Sequence, residues 1–251
     1  MKNQKTLSME NFNLEENNIL FTGGSGLLGS EMKKLFPSSA FPTHNEFDIT
    51  NADSTWNDKI KLIVHCAVIK SPPKIEKDPI SALETNIVGT ANLVRLCQRF
   101  GIKLIYISSD YVFQGTKGNY NEESELYPIT KYGWSKLGGE CAVRMYENSL
   151  IVRMTFFPNI FPYLKGFVDQ RVSRIPVTNA AEILKDIIYS NLKGVIHLGG
   201  LNKTTYDFAV STSGGNMIEK ISINSIDCPV PKDVTMNISK LEEFLGYKIT
   251  I

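Results

Sequence analysis

Several kinds of protein are excluded by what this 251-residue chain does not contain. No uninterrupted apolar run approaches the roughly 18 residues that a membrane span requires. Charge of one sign is missing too. The 27 Lys+Arg face 26 Asp+Glu, which gives no reason to expect nucleic acid, a ligand that wants a basic face. The opening MKNQKTLSMENFNLEENN has no apolar segment of the secretory kind, so a cytoplasmic location is expected. Cys66, Cys97, Cys141 and Cys228 form no CxxC pair, and His44, His65 and His197 fall at no zinc spacing, so no metal is expected. Buried free thiols in a reduced compartment fit this usage.

What is present is ordinary for a globular protein, with 42% hydrophobic and 21% charged residues. The length suits one large α/β domain or two small ones. Residues 1–18 are polar and without period, and read as an extension. At Ile19 a short apolar run begins, the mark of a buried strand, and it feeds the glycines at 23–26. Residues 27–36 read as a helix stopped by Pro37. Strands are expected at 40–43, 61–66, 103–107 and 149–154. Between them, Ile80, Leu83, Ile87, Ala91 and Val94 form one helical stripe that ends at Gly101. A further helix is expected over 128–146. Beyond it come a helix at 179–191, a strand at 194–198 and a closing helix at 239–245. Strand–helix alternation predicts an α/β fold, a doubly wound parallel sheet with helices on both faces.

Thr22-Gly23-Gly24-Ser25-Gly26-Leu27-Leu28-Gly29 places glycines at 23, 26 and 29, between a strand and a helix. The first permits a tight turn, the second lets backbone approach a pyrophosphate, and the third allows close helix–strand packing. The free N–H groups at the helix start would hold the phosphates. Residues 19–155 therefore read as a dinucleotide-binding core. Residues 156–251 would complete the fold as a small C-terminal lobe and wall a substrate cleft. The end of the second strand offers Thr43 and His44, neither acidic, with Asp48 slightly later, so NADH and NADPH stay equal candidates.

Tyr132-Gly133-Trp134-Ser135-Lys136 sets a phenol and an ammonium four residues apart, on one helix face. A neighbouring ammonium lowers a tyrosine's pKa from about 10, making the phenol a usable general acid/base. Ser108 and Ser109 follow the 103–107 strand, at the carboxyl end where ligands bind in such sheets. Ser109 is the candidate to hydrogen-bond the substrate oxygen that Tyr132 protonates. Ser108 is a weaker one.

Taken together, TGGSGLLG at 22–29, DIT at 48–50, SSDYVFQG at 108–115 and YPITKYGWSKLGGE at 127–140 resemble an extended short-chain dehydrogenase/reductase. The chain is most similar to the dTDP-4-dehydrorhamnose reductase family, down to the closing CPVPKDVTMNISKLEEFLG at 228–246. The resemblance implies a Rossmann fold, in which Gly23, Ser25, Gly26, Leu27 and Leu28 hold the pyrophosphate and Asp48 and Ile49 flank the adenine. It places Cys66, Ala67 and Val68 beside the cofactor, with Asn86, Tyr132 and Lys136 toward the nicotinamide. Ser109, Tyr132 and Lys136 would be catalytic, and Ser109, Asp110, Tyr111 and Arg153 would contact substrate.

The implied activity is NAD(P)H-dependent reduction of a 4-keto-6-deoxy sugar nucleotide. The implied partner is that small molecule, with a homodimer as candidate assembly. Two alternatives carry the same motifs: a non-catalytic NAD(P)-binding regulatory subunit of the methionine adenosyltransferase β type, and a sugar-nucleotide epimerase or dehydratase. The chain also departs from the pattern. His65-Cys66-Ala67-Val68 replaces Asn-Ala-Ala-Tyr, and Asp169 follows Arg153 by only 16 positions, fewer than the family has.

Overall fold

The computed structural model describes residues 14–51 and 58–251. In chain order these form β1 (Ile19–Thr22), α1 (Leu27–Leu35), β2 (Leu62–His65), α2 (Pro72–Lys77) and α3 (Ile80–Ala82). A π-helical segment, Leu83–Gly89, joins α3 directly to α4 (Thr90–Phe100). Then come β3 (Lys103–Ser109), α5 (Lys131–Val143), β4 (Ser149–Met154), β5 (Phe156–Phe157), β6 (Lys165–Phe167), β7 (Arg171–Val172) and β8 (Ile175–Pro176). The chain closes through α6 (Val177–Ile188), β9 (Gly194–Leu198), β10 (Lys203–Thr204), α7 (Thr205–Ser211), β11 (Glu219–Ile221) and α8 (Ser239–Leu245).

The central sheet runs β1-β2-β3-β4-β9, with every pairing parallel. Its strands are buried almost throughout, because a parallel sheet is covered on both faces. The period of two sorts each strand between two cores. Ile19, Phe21, Leu62, Val64, Ile105, Ile107, Leu150 and Val152 face α1 and α6. Leu20, Ile63, Leu104, Tyr106 and Ile151 face α4. Each large apolar side chain buried in this way stabilises the sheet by about 1.5–3 kcal/mol.

The expected strand at 40–43 contracts to one bridge. Ala40 accepts from the Phe21 N–H at 2.8 Å and donates to Ile19 at 2.9 Å. Pro42 lacks the N–H needed to continue a ladder. The core also reaches back beyond Ile19, since Leu14 is buried within the α1 and α6 side. The expectation of a polar extension thus fails at its last residues, while its first 13 lie outside the described residues.

After β4 the chain builds short pieces: β5 with β8, β6 with β11 and β7 with β10. Phe157, Phe161 and Phe208 pack among them. The last strand of the main sheet, β9, comes from the same C-terminal part and pairs with β4.

Candidate active site

The glycine turn leaves β1 beneath α1. Gly23 has φ +71°, and a Cβ there would lie 2.7 Å from the backbone of Ala67. A Cβ on Gly29 would collide with the carbonyl of Gly23 and lie 2.7 Å from Gly24 Cα. Both positions need glycine. Gly26 caps α1 without any side-chain hydrogen bond, so the first-turn N–H groups have no side-chain cap. Ser25 and Gly26 are exposed and Leu27 is half-buried. Leu28 is buried in the core, which leaves only its backbone for a ligand. Beside the turn lies a cavity of about 310 Å³, whose wall includes Thr22, Gly23, Ser25, Asp48, Ile49 and Ala67. A cradle that any Cβ would fill, set against this cavity, fits a dinucleotide.

Asp48 Oδ1 accepts from the Thr50 N–H at 2.9 Å and hydroxyl at 2.8 Å. The N–H first, then the hydroxyl, hold its carboxyl below the usual range. Segment 66–69 is half-buried along the cleft. Burial pushes the Cys66 thiol up to about 12, with Lys136 opposing, so Cys66 is a neutral thiol.

Asn86, expected near the nicotinamide, has its side-chain amide engaged by the fold. Its Oδ1 accepts from the Ile69 N–H, while its Nδ2 donates to the Ile69 carbonyl and to Ser135 Oγ, each at 2.9 Å. It sits within the π-helical segment, 1% exposed, and clamps the 66–69 strip to α5. His65, which sequence reasoning passed over, is a second brace. Thr90 Oγ1 donates to the Asn86 carbonyl, so it accepts from His65 Nε2–H at 3.0 Å. Thr22 Oγ1 accepts from the Ala67 N–H and donates to His65 Nδ1 at 2.7 Å. One tautomer satisfies the whole chain. Burial, then Lys136, pushes His65 down to about 3, so the ring is neutral. A histidine ending an apolar strand was the available signal.

Ser109 ends β3, Tyr132 and Lys136 lie on α5, and Thr130 caps that helix by accepting from the Gly133 N–H at 3.0 Å. Ser109 Oγ donates to Asp110 Oδ1 at 2.9 Å and accepts from the Tyr111 N–H at 3.2 Å. The Lys136 ammonium lies 4.1 Å from the Tyr106 ring centroid, a cation–π contact. Burial pushes Lys136 down to about 7, against the pull of Glu140. The Tyr132 phenol moves opposite to the sequence expectation. Burial raises it well above its ordinary value, Ser109 opposes, and Asp110 and Tyr111 add to the rise.

On the lobe side, Asp110 is 3% exposed and its Oδ2 has no hydrogen-bond partner among the described residues. Burial raises its pKa, while Arg174 counters most strongly. Arg174 lies 4.4 Å over the Phe157 ring and donates to Thr205 Oγ1 at 3.3 Å. Thr205 donates to Gln170, and Gln170 Nε2 donates to the Tyr111 hydroxyl at 3.2 Å. Arg174, Gln170 and Thr205 were missed. The one clue was an arginine inside the otherwise apolar-flanked Val172–Pro176 stretch.

Arg153 is a correction. Its guanidinium is fully buried and bidentate on Glu140, with Nη2 at 2.9 Å and Nε at 3.0 Å. Ser108 Oγ donates to the same carboxylate at 2.6 Å. Arg153 therefore ties β4 to α5 and does not reach the cleft.

This arrangement has relatives. The family model described as "RmlD substrate binding domain" matches residues 17–168, more than half of the chain. The chain belongs to that family. Methionine adenosyltransferase 2 subunit beta of Rattus norvegicus is 27% identical over 93% of this chain and 84% of its own. A probable low-salt glycan biosynthesis reductase of Haloferax volcanii is 28% identical over 90% and 91%. The crystal structure of dTDP-4-dehydrorhamnose reductase from Bacillus anthracis, in complex with NADP, superposes with a TM-score of 0.78. It covers 92% of each chain at 23% identity, which shows the shared fold. The expected Rossmann-type α/β architecture of an extended short-chain dehydrogenase/reductase is thus confirmed. Among the described residues, no helix is long and apolar enough to cross a membrane.

Proposed function

We propose that this chain is an NAD(P)H-dependent oxidoreductase that reduces the 4-keto group of a nucleotide-activated 4-keto-6-deoxy sugar. The observation that carries the reading is the intact Ser109, Tyr132 and Lys136 set at the carboxyl end of the sheet, beside a cradle of dinucleotide shape. A nicotinamide held there would supply the hydride. Tyr132, kept neutral by burial, is a stored acid suited to giving its proton to a developing alkoxide, the demand of the reductive direction. Ser109 would turn its O–H from Asp110 to the carbonyl oxygen, with the Tyr111 N–H fixing its position. Lys136, near half-charge at neutral pH, would be held in its charged form by the ribose hydroxyls of a bound cofactor and by a developing phenolate. Asp110 Oδ2, buried and unpartnered, supports a role in receiving a sugar hydroxyl.

A second reading has its own support, the long similarity to a regulatory β subunit. A purely regulatory chain would bind the dinucleotide and consume none of it. The test is a panel of 4-keto sugar nucleotides with dTDP, UDP and GDP heads, followed by loss of reduced-nicotinamide absorbance. Turnover with any member supports the reductase. No turnover with bound cofactor demonstrated favours the regulatory reading. Oxidised cofactor that stays bound through purification and is regenerated would point to an epimerase or dehydratase.

A further inference from the structure

A chain of buried hydrogen bonds runs from the glycine turn to the helix that carries Tyr132. Its side chains, on Thr22, His65, Thr90, Asn86 and Ser135, are all buried, and His65 is the middle member. The family pattern has asparagine in place of His65, whose amide reaches only as far as Nδ1 of an imidazole. The ring, with one acceptor and one donor nitrogen, serves two arms at once.

The first arm leads to the cofactor side. Thr22 stands directly before Gly23, accepts from the Ala67 N–H at 3.1 Å and gives its own proton to His65 Nδ1 at 2.7 Å. Thr22, Gly23 and Ala67 all line the cavity. Turn and strip touch there, since a Cβ on Gly23 would lie 2.7 Å from the Ala67 backbone. Without Nδ1, the buried Thr22 hydroxyl is left unpaired or turns away from Ala67. The second arm leads to the catalytic helix. His65 Nε2–H donates to Thr90, and Thr90 donates to the Asn86 carbonyl at 2.8 Å. The Asn86 amide donates to Ser135 Oγ at 2.9 Å, and Ser135 donates to the Tyr132 carbonyl at 2.8 Å. The His65 ring also packs 5.6 Å from the Tyr106 ring, which carries the Lys136 ammonium at 4.1 Å.

We propose that His65 is a positioning residue with two separable duties. Through Thr22 it sets the glycine turn against the 66–69 strip, and through Thr90 it sets the turn of α5 that bears Tyr132. The proposal rests on the dinucleotide and reductase readings given above. Two variants separate the duties, because an asparagine amide stands where Nδ1 is and a glutamine amide where Nε2 is. His65→Gln should weaken the reduced dinucleotide about tenfold by calorimetry, the scale of one buried hydrogen bond, and leave kcat within about twofold. His65→Asn should keep the dinucleotide Kd within about twofold and lower kcat on the 4-keto sugar nucleotides about tenfold. Thr22→Val should repeat the first result and Thr90→Val the second. Amide exchange read by mass spectrometry, with no substrate present, should quicken at 22–26 and 66–69 in His65→Gln and at 131–136 in His65→Asn. Melting temperatures that fall while Kd, kcat and the exchange pattern stay put would reduce His65 to a packing residue and overturn the proposal. The two variants changing Kd and kcat together would overturn it as well. If the wild type binds dinucleotide but turns over no sugar nucleotide, the reductase reading fails alone, and Kd with the exchange pattern decides the proposal.

Discussion

The two halves of the cleft are built by different physics. The cofactor side is backbone geometry: a tight turn at positive φ, a helix start without a side-chain cap, and a parallel sheet edge. The lobe side is side-chain chemistry held by two- and three-residue strands, with Arg174, Asp110, Gln170 and Thr205 buried among aromatics. Backbone geometry tolerates change in most side chains, because N–H groups and glycines do the binding. A buried polar cluster tolerates little, since each lost partner leaves another group unsatisfied. One fold can thus keep its cofactor site while its lobe is rebuilt for another substrate.

That contrast can be broken at several points. The largest effect belongs where the halves meet. Tyr132→Phe should lower kcat by about 10²–10⁴-fold, the usual value of a general acid, with the cofactor Kd unchanged by calorimetry. Next comes the tie between β4 and α5. Arg153→Met leaves Glu140 buried without its guanidinium and should cost about 3–5 kcal/mol in denaturant unfolding. Replacing both partners with apolar residues should recover most of that loss. The exposed Lys165–Glu219 pair, at 3.1 Å, should contribute less than about 1 kcal/mol to the same measurement.

How much of this was legible depended on which physics built each part. The glycine turn, the buried strands and the Tyr132/Lys136 helix could be read, because period, turn chemistry and spacing are local signals. The boundaries of 149–154, 194–198 and 239–245 follow from apolar runs and, for the last, Gly246 in the left-handed region. The pieces β5 to β8 escaped, since two or three residues carry no period. Arg153 was misassigned because spacing cannot show that Glu140 comes to it from another element. Asn86 and His65 belong to the same class, their partners lying 17 to 49 residues away in sequence.

Other perturbations separate the halves directly. Gly23→Ala forces a Cβ into Ala67 at positive φ, and should cost about 1–3 kcal/mol and abolish dinucleotide binding. Arg174→Gln should raise the substrate KM while cofactor Kd stays fixed, read from initial rates at saturating dinucleotide. A pH slope follows from the buried lysines. Lys136 falls from 10.5 to about 7 in the folded state, so the unfolded chain binds the extra proton between these values. Stability therefore rises with pH across that window, by about 1 kcal/mol between pH 7 and 8. Lys103, pushed down to about 8, adds to the slope mainly above that value. Lys136→Met should flatten the lower part in urea titrations.

The most direct measurement follows the hydrogen itself. With cofactor deuterated at the transferring nicotinamide carbon and a 4-keto sugar nucleotide as substrate, mass spectrometry should find one deuterium on the carbon that bore the ketone. The label should appear at least about 100-fold more slowly with Tyr132→Phe. Cofactor shown to be bound, with no label reaching any sugar of the panel, would contradict the account at its centre.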